Sequence, residues 1–84
     1  MKRLKLLKKA LRSADNLRFR EFVALLEAFD FRLDRVKGSH HIFNHPSVPR
    51  ILNVQNAKGN AKPYQVRQFL EIIEDFNLLK EDFR

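Results

Sequence analysis

The chain has no cysteine and no tryptophan, only two glycines, three prolines and one tyrosine among its 84 residues. Without cysteine there is no disulfide framework and no thiolate zinc site, so stability has to come from packing. No uninterrupted apolar run approaches the roughly 18 residues needed to cross a bilayer, and residues 1–14 mix lysines with leucines where a signal peptide would carry an unbroken apolar block. These features lead to the expectation of a soluble, cytoplasmic protein with no membrane partner. At this length the chain has room for one small domain. Eight phenylalanines supply bulky material for its core.

Positive charge is plentiful, and its distribution is uneven. The formal net charge is +7. Residues 1–20 hold eight basic residues against Asp15 alone, whereas residues 21–84 hold nine basic and nine acidic residues. Within that neutral remainder, residues 31–62 carry Arg32, Arg35, Lys37, Arg50, Lys58 and Lys62 against Asp34, and the segments on either side are net acidic. A positive middle between acidic flanks suits one face that meets a polyanion. A well-solvated basic surface has the same composition.

Hydrophobic periodicity divides the chain into elements. Leu4, Leu7 and Leu11 recur at helical spacing through residues 2–13, with basic residues between them. This basic amphipathic helix can dock on the domain, lie on an anionic membrane or grip phosphates. Phe19, Phe22, Val23, Leu26 and Phe29 then form one stripe of a helix over 17–29, with Glu21 and Glu27 facing away. Residues 31–37 read as a strand, with Phe31 and Leu33 alternating against Arg32 and Asp34. Gly38 provides the permissive backbone of a hairpin turn, and a second strand runs from 39 or 40 to 45. Residues 45–49, with two prolines, are expected as a loop. A short third strand covers 51–55 with Leu52 and Val54 inward, and 56–62 is a polar loop. Pro63 suits the first turn of a last helix. There Val66, Phe69, Leu70, Ile73 and Phe76 repeat the stripe, and Asn77 serves as the C-terminal cap.

The expected class is therefore α+β: a three-stranded antiparallel sheet packed by helices on one face, with an extra N-terminal helix. Residues 1–16 form the helical extension and residues 17–84 the α-β-β-β-α domain.

All three histidines lie between Gly38 and Pro46. On a strand, His40 and His41 point to opposite faces. His41 and His45 share a face but stand roughly 13 Å apart at about 3.3 Å per residue. A zinc ion needs its ligands to converge within about 2.0–2.2 Å of one point, so this spacing argues against a metal site. General acid–base chemistry on a phosphodiester fits better. It needs a base for a hydroxyl proton, an acid for the leaving oxygen, and cations for the charge gathering on phosphorus. Histidine, lysine and arginine provide these roles within one hairpin. Unmodified surface histidines would need no function at all.

The run Phe31-Arg32-Leu33-Asp34-Arg35-Val36-Lys37-Gly38-Ser39-His40-His41-Ile42-Phe43-Asn44-His45-Pro46, followed by Lys62-Pro63 at the last helix, resembles the HicA toxins of prokaryotic toxin–antitoxin systems. The likeness covers roughly residues 20–79. It implies a fold similar to double-stranded-RNA-binding domains and a metal-independent mRNA endoribonuclease that inhibits translation and growth, with no cofactor. It also implies a HicB-like antitoxin partner that silences the enzyme and through which any oligomer assembles. By this resemblance the histidine after Gly-Ser is catalytic, placing the role on His40, with His41 the second candidate. Arg35, Lys37, Ser39, Lys58 and Lys62 are the candidate RNA contacts, Arg50 is a weaker one, and Phe43, if exposed, can stack a base. Two features depart from the family pattern. The third strand lacks the histidine many members carry near its end, and the first twenty residues exceed the compact family core. The alternative from another class is an RNA-binding module of the same fold without catalysis.

Overall fold

Two helices end on the same backbone device, and both ends turn the chain toward the sheet. In the computed structural model, which describes residues 2–79, Asp30 (φ 70°) and Asn77 (φ 53°) take the left-handed conformation. Phe31 N–H then donates to Leu26 O and Leu78 N–H to Ile73 O, each at 3.0 Å, satisfying carbonyls that the last helical turn leaves open. The expected cap at Asn77 is thus present just past the helix end. The domain was expected to run from 17 to 84 and the extension to begin at residue 1; residues 1 and 80–84 lie outside the described residues.

The helices are α1 (Lys2–Arg12), α2 (Phe19–Ala28) and α3 (Pro63–Asp75), with a short 3-10 turn at Ala14–Asn16 between the first two. The strands are β1 (Arg32–Lys37), β2 (His40–His45), β3 (Val48–Ala57) and β4 (Asn60–Ala61), forming one antiparallel sheet in the order β1-β2-β3-β4. The α+β class is as expected, but the sheet has four strands where the periodicity gives three. The added strand folds back through Lys58-Gly59, both at positive φ (55° and 89°). That pairing of dihedrals is what a tight two-residue hairpin requires. In sequence, Asn56 to Lys62 is too polar to look like sheet.

The stretch expected as a proline loop is also shorter than foreseen. Only Pro46-Ser47 turns the chain, and Val48 and Pro49 already belong to β3. Pro49 falls where the register shifts between the Phe43↔Leu52 and His45↔Val48 pairs. An irregularity of this kind accommodates a residue that cannot donate to the ladder.

The core lies between one face of the sheet and the helices. Phe22, Leu25, Leu26 and Phe29 of the α2 segment meet Val66, Phe69, Ile72 and Ile73 of α3 and Phe43, Leu52 and Val54 of the sheet, all buried. Phe69 is central: its ring lies 5.9, 5.7 and 5.8 Å from those of Phe22, Phe29 and Phe31, each edge-on. Two apolar residues of the periodic pattern stay exposed. Leu33 is 49% exposed, because among the described residues β1 is an edge strand with β2 as its one neighbour. Leu11 is 63% exposed, while Leu7 and Ala10 carry the buried line of α1.

Of the three roles open to α1, docking on the domain is the one its side chains display. Leu7 and Ala10 join the common core, and the Arg3 guanidinium lies 4.0 Å from the centre of the Phe29 ring. Glu21, expected to face away, links α1 to α2. One carboxylate oxygen accepts from Lys9 Nζ at 2.7 Å and the other from the Arg18 backbone N–H at 2.9 Å. The Lys9 hydrogen bond, followed by that from Arg18, holds the Glu21 carboxyl below its ordinary pKa. A carboxylate depressed in the folded state adds stability above its unfolded pKa and loses it as pH falls through the folded value. Glu21→Gln should therefore lower stability near neutrality by no more than about 1 kcal/mol, because the pair is partly solvated. The variant and parent curves should converge in acid. Urea unfolding across pH checks this; a constant gap down to the lowest pH would show that the charge plays no part.

No helix among the described residues is long and apolar enough to cross a membrane.

Candidate active site on the open face of the sheet

The pairing register sorts the hairpin into two faces. Lys37 pairs with His40, Val36 with His41, and Arg35 with Ile42, while His41 and Phe43 pair with the buried Val54 and Leu52 of β3. His41, Phe43 and His45 therefore share the helix-covered face. Lys37, His40, Arg35 and Ile42 share the opposite, open face, together with Asn53 and Gln55 of β3.

This separates the two candidate catalytic histidines. His41 is half-buried, with its ring edge-on to Phe19 at 4.8 Å and its Nδ1–H directed to Ser39 O at 3.3 Å. His45 packs edge-on against Phe31 at 4.9 Å, and its Nδ1 accepts from Ser47 N–H at 3.0 Å, which fixes the β2–β3 turn. His40 is exposed, directly across from Lys37. Its Nδ1 lies 3.1 Å from Asn53 Oδ1. An amide oxygen only accepts, so Nδ1 carries a proton, and in the neutral ring the lone pair is then on Nε2. A neutral imidazole held in that tautomer is a general base with an oriented acceptor.

Asn53 was not singled out from sequence, although the signal was present. Leu52 and Val54 both read as inward, and alternation then turns Asn53 to the open face with His40. Phe43 is a correction of the opposite kind. It is 1% exposed and packs in the core, so it offers no surface to a base. Two adjacent apolar residues, Ile42 and Phe43, hid which of them faced inward.

The cationic candidates divide into two groups. Lys37 and Arg35 are exposed on the same face as His40, and Arg35 makes a 3.4 Å ion pair with its neighbour Asp34. Ser39 stands in the β1–β2 turn beside Gly38, whose φ of 58° is the left-handed value a tight turn demands there. Its carbonyl accepts from Asn56 N–H at 3.0 Å, so this turn and the Lys58 turn lie at one end of the sheet. Lys62 occupies the N-cap position of α3. Arg50 is held at 3.5 Å by Asp75, with its guanidinium over the Phe76 ring. The near group is thus Lys37 and Arg35, with Ser39 and Lys58 at the hairpin end.

Among the described residues, no three or more histidine, aspartate or glutamate side chains are grouped so as to hold a metal ion. Among the described residues, the site comprises one imidazole hydrogen-bonded to Asn53 beside the exposed Lys37 and Arg35, on the sheet face away from the helical core.

No curated protein and no solved structure matches the chain. A family model does: the one described as the HicA toxin of bacterial toxin–antitoxin systems matches residues 19–74, from the first residue of α2 almost to the end of α3. That match spans more than half of the chain, and the chain belongs to the HicA toxin family.

Proposed function

We propose that this toxin is a metal-independent endoribonuclease acting on mRNA, with His40 as the proton-transfer residue. The observation that carries the reading is the His40–Asn53 hydrogen bond, which leaves Nε2 free on the open face beside Lys37. Membership of a toxin family supports the biological role.

The chemistry follows from those groups. His40 Nε2 takes the proton of a ribose 2′-hydroxyl, and the resulting oxygen attacks the adjacent phosphorus. The bond from phosphorus to the 5′-oxygen breaks, leaving a 2′,3′-cyclic phosphate on one fragment and a 5′-hydroxyl on the other; water protonates the leaving oxygen, and His40 returns its own proton to solvent. Lys37 and Arg35 neutralise the charge that builds on the non-bridging oxygens. Ser39 and Lys58 at the hairpin end, with Lys62, hold the flanking phosphates; His41 supports the strand and takes no proton in this scheme. The unit that carries the activity is residues 17–84, and residues 1–16 extend it. A HicB-like antitoxin covers the open face and closes access to His40, and the family's pairing with an antitoxin favours this. Such a pair would act in the cytoplasm, where mRNA is translated.

The reaction is tested with purified protein and a short single-stranded RNA. Cleavage should persist in EDTA and yield cyclic-phosphate ends. A single 2′-deoxy substitution at the scissile nucleotide should block it by at least about 10²-fold, since the nucleophile is then missing. Activity that vanishes in EDTA and returns with a divalent metal, or cleavage that ignores the deoxy substitution, would sink the mechanism. RNA binding without any cleavage would favour the non-catalytic RNA-binding module.

A further inference from the structure

A groove of about 370 Å³ opens beside His40 and Asn53, between the free outer edge of β3 and the first turns of α3. It falls within the size range of small-molecule clefts. Two of its walls are apolar and solvent-facing: the Tyr64 ring, 54% exposed, and Ile51, 62% exposed. The Tyr64 ring thus presents an open aromatic face on which a flat group can stack.

The tyrosine is also held in place from below. Gln65, 3% exposed, accepts from the Gln55 backbone N–H at 2.8 Å and donates through Nε2 to Tyr64 Oη at 3.3 Å. The buried amide thus satisfies a strand-edge donor and anchors the ring beside the catalytic face. Gln68 and Glu71, both exposed, continue along the same side of α3 as Tyr64, at i+4 and i+7, and face Ile51 and Asn53 of β3 across the groove.

Charge decides which part of a nucleotide enters. Lys37 lies on the His40 side of the sheet with Arg35, which is paired with Asp34, whereas the α3 wall presents Glu71 and the Arg50 at its rim is paired with Asp75. A phosphate is repelled by that wall and a neutral base is not. We propose that this groove is a nucleobase subsite that holds the unpaired base next to the scissile phosphate, with Tyr64 as its stacking platform and Glu71 reading its Watson–Crick edge. A carboxylate only accepts hydrogen bonds. Guanine alone among the four bases offers two adjacent donors there, N1–H and the N2 amine, and so fits the carboxylate with both oxygens engaged. Uracil presents a single donor between two carbonyls that face the carboxylate unfavourably. The inference rests on the reading of His40 as the centre of an RNA-cleaving site, and it adds to that reading a preference for cutting beside guanine.

Tyr64 is the chain's one tyrosine, so 3-fluorotyrosine incorporation yields a single fluorine resonance that reports on this groove. Guanosine monophosphate, added to the His40→Ala protein, should shift that resonance at concentrations about ten-fold below those needed for uridine monophosphate, and Glu71→Gln should erase most of the difference. With His40 intact, Tyr64→Ala should raise KM for RNA about ten-fold while kcat changes far less. Glu71→Gln should spread the mapped cuts away from guanine. Both side chains are exposed, so neither substitution removes core packing. A resonance that ignores all four nucleotides, or shifts equally with each, together with an unchanged cleavage map, overturns the subsite. A guanosine-specific shift in a protein that cuts no RNA would leave the subsite standing and remove the proposed activity; cutting with no shift would do the reverse.

Discussion

His40→Ala is expected to lower the rate of RNA cleavage by about 10²–10⁴-fold and to abolish growth arrest, with the fold intact. The side chain is exposed and on the sheet face opposite the helices, so its removal opens no cavity. RNA binding should be largely kept, since Lys37, Arg35 and the hairpin end remain. The same change at His41 should behave differently. That ring lies edge-on to Phe19 at 4.8 Å on the helix-covered face, so His41→Ala should cost stability of about 0.5–1.5 kcal/mol and leave the cleavage rate within a few-fold. In the proposed mechanism Asn53 acts through His40, as a positioning residue. Asn53→Ala should lose part of the rate, and Asn53→Asp, which still accepts from Nδ1 at that 3.1 Å position, should recover more of it. The aspartate should also move the base limb of the pH–rate profile upward, because a carboxylate favours the charged imidazole. A loss of packing alone would not move that limb. If His41→Ala silences the enzyme while His40→Ala cleaves like the parent, the roles have been assigned to the wrong histidine.

The hairpin shows how far sequence reasoning reaches. A turn glycine and a period of two are enough to place His40 and His41 on opposite faces, and the register confirms that separation. They do not say which face is covered, because Ile42 and Phe43 are both apolar and the inward residue is chosen by what packs above it. Phe43 goes inward because Leu52 and Val54 lie beside it under α2 and α3. The helices were legible for a related reason. The stripes of α2 and α3 span ten residues or more, so one ambiguous position cannot reverse the assignment. Short elements lack that redundancy. A two-residue strand at Asn60–Ala61 is made by the positive φ of Lys58 and Gly59, and only the glycine announces such a turn in sequence. The Asn53–His40 contact joins residues thirteen apart on neighbouring strands, so it becomes visible only when the register is known. Gln65 is a similar case: a polar residue in an apolar helix stripe looks exposed until the Gln55 N–H at the strand edge requires an acceptor.

Phe69→Ala should be the most destabilising substitution considered, costing about 3–5 kcal/mol. The residue is fully buried, and its ring is the one the other three share: Phe22 and Phe29 approach from α2 and its C-terminal turn, and Phe31 from the entry to β1. Those neighbours belong to different elements, each anchored elsewhere, so they cannot close together over the space a benzyl group leaves. Edge-on ring contacts add roughly 0.5–1.5 kcal/mol each beyond area burial, and truncation removes three at once. Small domains have only about 5–15 kcal/mol of total stability. The loss should appear as a fall in Tm of at least about 12 °C, at 4–8 °C per kcal/mol for a domain this size. Phe69→Leu should lose less, because it refills part of the volume. Leu11→Ala, on the exposed side of α1, should change stability by no more than about 0.5 kcal/mol. A Tm shift below about 4 °C for Phe69→Ala would mean that the aromatic cluster does not hold the helices to the sheet. The comparison with His40 is then direct. Phe69→Ala should remove activity by unfolding the chain as temperature rises, so activity and the folded fraction should recover together on cooling. His40→Ala should remain inactive at every temperature, because its defect is one missing proton acceptor on a sheet that is still folded.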